Sequence, residues 1–107
     1  MNNTTVVKAL TALAQTSRLE VFKMLVVAGH DGITPSEIAG AMGVPANTLS
    51  FHLKELMHAE LVSQERIGRH LVYRAQFEHM NAVLAYLTQN CCQGKPCLDE
   101  AAVAYKC

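Results

Sequence analysis

The chemistry in this 107-residue chain is concentrated at its end, where four cysteines fall at positions 91, 92, 97 and 107 and none precedes them. The first three lie in the run Asn90-Cys91-Cys92-Gln93-Gly94-Lys95-Pro96-Cys97. Adjacent residues of an α-helix point about 100° apart, so Cys91 and Cys92 converge only where the helix loosens. Gly94 and Pro96 supply such an end, and the turn they make brings Cys97 back towards the pair. A bridge between Cys91 and Cys92 is disfavoured, because neighbouring Cα atoms lie only ~3.8 Å apart, shorter than the usual disulfide span of about 4.4–6.8 Å. Three convergent thiols suit a soft, thiophilic ion. Trivalent arsenic or antimony takes three thiolates in a pyramid. Zinc prefers a fourth ligand, for which Cys107 is the nearest candidate, and cadmium or lead are further options. A redox switch uses the same thiols. Lys95 favours the thiolate that any of these reactions needs.

Composition limits where and how such chemistry operates. With 50% hydrophobic residues, the chain has enough apolar mass for one packed domain without extra staples. No run approaches a membrane span, and the opening MNNTTVVKAL lacks the regions of a secretory signal, so a cytoplasmic location is expected. In a reducing compartment, clustered cysteines point to metal or redox chemistry before a structural disulfide. Nine basic and nine acidic residues cancel, which argues against gripping nucleic acid by bulk positive charge. Residues 1–92 read as the folded domain and 93–107 as a cysteine-containing C-terminal tail.

The elements that must position the cysteines follow from hydrophobic spacing. Val6, Val7, Leu10, Leu13 and Ala14 predict a helix over residues 5–14, too short to stand alone. Thr16 or Ser17 caps a second helix, with Ser17-x-x-Glu20 in capping-box form. It continues through Leu19, Phe22, Leu25 and Val26 to Gly29, and Phe22, Met24 and Leu25 are assigned to the core. Phe77 to about Cys92 returns to helical spacing through Met80, Val83, Leu84 and Leu87. A short helix near Asp99, over 98–107, completes the chain.

Between these lies Ile33 to Val62, which reads as a helix-turn-helix. Thr34-Pro35-Ser36-Glu37 has capping-box form with Pro at the first helical position, so a helix starts at Pro35. Ile38, Ala39 and Met42 face inward, and Gly43 ends it. A second helix runs roughly from Pro45 to Ala59. Leu49, Leu53 and Leu56 face the core, leaving Ala46, Asn47, Ser50, Phe51 and Lys54 on or near the other side. Small, hydrogen-bonding residues near an N-terminal end suit a helix lying in a DNA major groove. Residues 61–66 and 70–74 are strand-like runs joined by Ile67-Gly68-Arg69, a β-hairpin wing. Arg66, Arg69, His70 and Arg74 concentrate positive charge there, suited to phosphates.

From Ser17-Arg18-Leu19 through Thr48-Leu49-Ser50-Phe51-His52-Leu53 to the hairpin ending at Tyr73, the chain resembles ArsR/SmtB-type winged-helix repressors over about residues 5–90. The most specific part is Ser50-Phe51-His52-Leu53 followed by Leu61-Val62. One departure is Glu60, where the family usually carries Gly; a left-handed backbone there would be strained. The resemblance implies a mainly α fold with a β-hairpin wing, a winged helix-turn-helix that is homodimeric. Its first and last helices pair across a two-fold axis, for which the apolar faces of residues 6–14 and 80–87 are suited. It also implies a repressor of double-stranded operator DNA, with Asn47, Thr48, Ser50, Phe51, His52, Lys54, Arg66 and Arg69 as DNA-binding candidates. His52 is weighed mainly as a hydrogen-bonded structural residue.

Arsenic-responsive members often carry Cys-Val-Cys before the recognition helix, but Thr34 to Ala39 contains no cysteine. Zinc-sensing members use Asp, His and Glu along the last helix, but here only Glu78 and His79 stand at its start and read as surface residues. The vicinal pair plus Cys97 resembles a subgroup of arsenic repressors with three cysteines at the end of the last helix. The expected inducer is therefore As(III) or Sb(III), held by Cys91, Cys92 and Cys97, with no organic cofactor. Repressors responding to cadmium, lead or zinc, or to thiol oxidation, are the alternatives. A thiol enzyme is disfavoured, because no Cys-x-x-Cys or phosphate-cradling Gly loop is present.

Overall fold

The computed structural model describes residues 1–94. Five α-helices and one antiparallel hairpin follow in the order α1 (Asn3–Leu13), α2 (Thr16–Ala28), α3 (Pro35–Met42), α4 (Ala46–His58), β1 (Val62–Ile67), β2 (His70–Ala75) and α5 (Phe77–Thr88). Single 3-10 turns occupy Gly29–Asp31 and Cys91–Gly94. The mainly helical fold with a hairpin wing is the one the spacing predicted. The proposed short helix over 98–107 lies outside the described residues.

Local chemistry sets the starts of α1, α2 and α3, in two cases not as expected. Asn2 Oδ1 accepts from the Thr5 N–H at 2.8 Å, so α1 begins two residues before the predicted start. Gln15 Oε1 accepts from the Arg18 N–H at 2.8 Å, placing Thr16 and Ser17 inside α2 rather than at its cap. The long amide reaches the free N–H groups before the hydroxyls can. Thr34 caps α3 as predicted, its oxygen accepting from the Glu37 N–H at 3.4 Å. The return bond runs from the Thr34 hydroxyl to Glu37 Oε1 at 3.0 Å.

Beneath these caps lies one core. Val6 and Ala9 of α1, Val21, Phe22 and Leu25 of α2, Ile38 of α3 and Leu49, Leu53 and Leu56 of α4 are buried together with Leu61, Val62, Tyr73 and Val83. Three leucines of α4 therefore fix its rotation, as their spacing predicted. In α1 the inward stripe is Val6, Ala9 and Ala12, whereas Val7 and Leu10 face outward. Leu10, with Leu19 and Leu87, also exposed, borders an apolar groove of about 370 Å³ between α1, α2 and α5. Met24, assigned to the core, is partly buried against it.

The end of α4 holds a left-handed residue at the position where the family resemblance made such a backbone a source of strain. Glu60 has φ +64°. Its N–H donates to the Met57 carbonyl at 3.0 Å, and the Leu61 N–H donates to the Leu56 carbonyl at 3.0 Å. These are the two bonds of a Schellman cap, with Leu56 and Leu61 buried against the core as its apolar contact. The geometry is the one glycine favours, adopted by a residue carrying a β-carbon.

In the wing, Val62 pairs with Ala75 and Ile67 with His70, so the connection is Gly68-Arg69; both strands end one residue later than predicted, and β1 also starts one residue later. Positive φ at Gly68 and not at Arg69 matches a two-residue II′ turn. The wing base is tied to the segment after α2. Ile33 and Tyr73 exchange backbone bonds of 3.0 and 2.9 Å. Gly32, at φ +74°, passes so close that a β-carbon would sit 2.4 Å from Val72 Cγ1 and 2.9 Å from the Tyr73 carbonyl oxygen.

Two substitutions at these left-handed positions act in opposite directions. Glu60→Gly should raise the free energy of unfolding by about 0.5–1 kcal/mol, since it relieves the left-handed penalty at some cost in chain entropy. Gly32→Ala should lower it by about 2–3 kcal/mol, because the clash involves backbone. Urea unfolding of both variants beside the parent chain checks the pair.

Candidate nucleic-acid interface and cysteine turn

Pro45 precedes α4 in an extended conformation, with φ −63° and ψ 150°, so the helix begins at Ala46 and not at Pro45. Its N-terminal half presents Ala46, Asn47, Thr48, Ser50 and Phe51 to solvent, and Lys54 follows one turn later. Asn47 Oδ1 accepts from the Thr48 N–H at 2.9 Å, which leaves its amide nitrogen available as a donor. A surface of small residues with hydroxyl and amide groups at a helix N-terminus can approach base edges and phosphates closely.

Phe51 stands out on this face, with 54% of its surface exposed. The guanidinium carbon of Arg18 lies 5.6 Å from its ring centroid, a cation–π arrangement that orients the ring. Arg18 Nη1 also donates to the Ala12 carbonyl at 3.4 Å, tying the corner between α1 and α2 to the recognition helix. Sequence reasoning used Arg18 only as part of a resemblance. Nothing in its spacing places it 33 residues away against Phe51; a lone arginine in the first turn of an apolar helix was the available signal.

His52, a DNA-binding candidate weighed mainly as a structural residue, faces inward and leaves the DNA-binding candidates. It is only 5% exposed, turned inward beside Leu53. Its Nδ1 and the Nε of Arg18 are buried without a hydrogen-bond partner among the described residues. Burial, and secondly the positive charge of Arg18, lower the His52 pKa below its ordinary value of 6.5. The imidazole is therefore neutral near pH 7 and cannot contribute charge to an anion.

On the wing, Arg66, Arg69 and His70 are exposed. Arg74 differs from the expectation that it joins them. Its Nη1 lies 2.7 Å from Glu65 Oε1, and its Nε donates to the His30 carbonyl at 2.7 Å. Its charge is locally compensated, so the positive surface of the wing is carried by Arg66 and Arg69.

The cysteine segment begins earlier than the predicted helix end. α5 stops at Thr88, whose hydroxyl donates back to the Leu84 carbonyl at 2.9 Å. Gln89 is extended and Asn90 is left-handed at φ +57°, so Cys91 and Cys92 lie on the following 3-10 turn, off the helix. The loosened backbone required for the pair is thus reached four residues sooner than predicted. Cys91 is half-buried. Cys97 and Cys107 lie outside the described residues. Among the described residues, no three His, Cys, Asp or Glu side chains are grouped to hold a metal ion. Glu78 is exposed, whereas His79 is half-buried with its Nε2 enclosed.

An exposed polar helix face held by a three-helix core and flanked by a basic hairpin defines a winged helix-turn-helix domain. Residues 13–65 match a helix-turn-helix domain family. Comparison with curated protein sequences gives no match. Among solved structures, the chain is similar to an ArsR-like transcriptional regulator from Rhodococcus sp. RHA1, at 24% identity and a TM-score of 0.72, over 80% of this chain and 78% of that one. It is also similar to reduced HlyU from Vibrio cholerae, at 24% identity and 0.64, over 86% and 94%. A homodimeric winged helix-turn-helix DNA-binding domain from Mycobacterium bovis matches at 23% and 0.65, over 89% and 88%. The chain has the winged helix-turn-helix fold of ArsR-like regulators. No helix among the described residues is long and apolar enough to cross a membrane.

The buried imidazole makes stability depend on pH with a definite sign. With its folded pKa depressed, His52 binds its proton more readily in the unfolded chain, so stability falls as pH drops through 6.5 towards the folded value. Between about pH 7.5 and about pH 5.5 the parent should lose more unfolding free energy than His52→Gln. Equal losses in parallel urea titrations would remove His52 as the cause.

Proposed function

We propose that the protein is an ArsR-family transcriptional repressor that binds double-stranded operator DNA as a metal-free homodimer and releases it when As(III) or Sb(III) is captured by Cys91, Cys92 and Cys97. The observation that carries the DNA-binding part is the outward face of α4, where Asn47, Thr48, Ser50, Phe51 and Lys54 are all exposed while Leu49, Leu53 and Leu56 anchor the helix. Arg66 and Arg69 on the adjoining wing supply phosphate contacts. With zero net charge, a single domain has little non-specific attraction for DNA, and pairing two domains multiplies a modest affinity. The outward Leu10 and Leu87 and the apolar groove they border, with Val7 also exposed on α1, support pairing through α1 and α5. A two-fold dimer presents two recognition helices about one turn of DNA apart and reads a near-palindromic site.

The inducer is argued from the donor set. Two adjacent thiols on a turn and a third five residues on provide three soft ligands and no carboxylate or imidazole partner in the same run. That composition favours a pyramidal three-thiolate ion over tetrahedral zinc. Capture at the end of α5 restrains the segment that follows a helix assigned to the dimer interface, and so changes the spacing of the two recognition helices. Couplings of this kind typically amount to ~1–3 kcal/mol, about 5- to 150-fold in affinity, and DNA must weaken metalloid binding by the same factor.

Titration of fully reduced protein with arsenite should give thiolate-to-arsenic ultraviolet absorbance saturating at one equivalent per subunit. Cys91→Ser, Cys92→Ser and Cys97→Ser should each abolish it, and Cys107→Ser should not. A duplex selected by the parent protein from a randomised pool should be released by arsenite or antimonite. Release by peroxide alone, with no metalloid absorbance, would replace the metalloid with an oxidative signal. Dependence on Cys107 would point instead to a four-coordinate metal.

A further inference from the structure

The base of the wing carries an arrangement that neither the fold nor the proposed DNA contacts account for. Arg74 projects from β2 and makes two directed bonds with different neighbours. Nη1 meets Glu65 Oε1 across the hairpin at 2.7 Å, and Nε donates to the His30 carbonyl at 2.7 Å. His30 belongs to the 3-10 turn that ends α2, 44 residues away in sequence, so the second bond crosses from the wing to the helical body. The same turn is joined to the wing by the Ile33–Tyr73 backbone pair and by the close passage of Gly32 against Val72, Tyr73 and Arg74. The His30 ring meets Phe77, the first residue of α5, edge-on at a centroid separation of 5.5 Å.

A two-stranded hairpin has little stability of its own. The Ile33–Tyr73 pair and the buried Val62, Tyr73 and Ala75 hold the base of the wing, whereas residues 64–70 beyond it are exposed. The Arg74 guanidinium adds a directed polar tie at the edge of that base, and its planar fork sets direction as well as distance. Lysine has the charge but cannot reproduce the two-way geometry.

We infer that Arg74 is a positioning residue for DNA recognition: by bridging the His30 carbonyl and Glu65 it fixes the angle of the wing, and hence where Arg66 and Arg69 meet phosphates, without contacting DNA itself. The inference rests on the DNA-binding reading above. It differs from the usual assignment of a wing arginine, in which the charge is the function.

Salt dependence of binding separates the two roles. With a duplex selected by the parent protein, Arg74→Gln should weaken binding on the order of three- to tenfold, the size of one net hydrogen bond. The slope of log affinity against log salt should stay unchanged, whereas Arg66→Gln should reduce it by about 0.9. Arg74→Lys should be weakened as much as Arg74→Gln, because charge without the fork does not hold the angle. Thermal unfolding of each variant confirms that folded protein is compared. A slope reduced by about 0.9 in Arg74→Gln, or parent-like binding by Arg74→Lys, would make Arg74 an ordinary phosphate contact and overturn the inference. Parent-like affinity in Arg74→Gln would overturn it as well. Failure of the parent protein to select any duplex would instead remove the DNA-binding reading, and the inference with it.

Discussion

Everything on the recognition surface depends on α4 being anchored from one side. Leu49, Leu53 and Leu56 lie at four- and three-residue intervals and are all buried. At roughly 2 kcal/mol for burying each such side chain, rotating the helix enough to expose them is prohibitive for a domain of this size. The same constraint holds Asn47, Ser50, Phe51 and Lys54 in solvent. It extends through the Schellman cap, where Leu56 and Leu61 share the core on either side of Glu60. The chain thereby passes from α4 into β1 at a fixed angle, and helix and wing become parts of one surface.

Polar groups inside this arrangement are held less economically than apolar ones. His52 Nδ1 and Arg18 Nε are buried without partners among the described residues, and a protonated imidazole beside a guanidinium is unfavourable. What the arginine gives in exchange is placement. Its plane over Phe51 and its bond to the Ala12 carbonyl join α1, α2 and the recognition helix in one contact set. The most exposed aromatic residue of the interface is thus oriented by a residue outside the helix-turn-helix.

Electrostatics follow the same division between placement and charge. The sequence has no net charge, so the potential that a nucleic acid meets depends on which arginines are compensated. Arg74 is compensated by Glu65; Arg66 and Arg69 are exposed on the wing. Counting basic residues in the hairpin overestimates its positive surface by the one that holds the hairpin in place. At the other end of α5, the backbone leaves the helix at Gln89, and the cysteine pair follows on a turn whose course the helix does not dictate.

The sequence by itself determined the elements and the inward face of α4, though not that of α1, where Val7 and Leu10 face outward. Leucine spacing in α4, Thr34 and Pro35 at the start of α3, Gly43 at its end and Gly68 in the wing turn are local signals, each arising from the geometry of a few consecutive residues. Glu60 was singled out only through the family resemblance, as a place where a left-handed backbone would be strained, and the structure puts a left-handed residue there all the same. The cysteine spacing was legible too, and it remains the ground for the thiolate proposal. Only the tertiary structure decided which polar residues are compensated and where long side chains end. Arg18 over Phe51, His52 turned inward and Arg74 bound to His30 depend on atoms that packing brings together, some from distant parts of the chain; Gln15 capping α2 is by contrast a local bond, which a choice between Thr16 and Ser17 overlooked. A charge or hydrogen-bonding group is defined by its neighbours in space, and sequence spacing reports those neighbours only within a helix turn or a strand pair. Burial of an apolar face, by contrast, needs no particular partner, and that is why the fold could be read from the sequence and the compensation of individual polar groups could not.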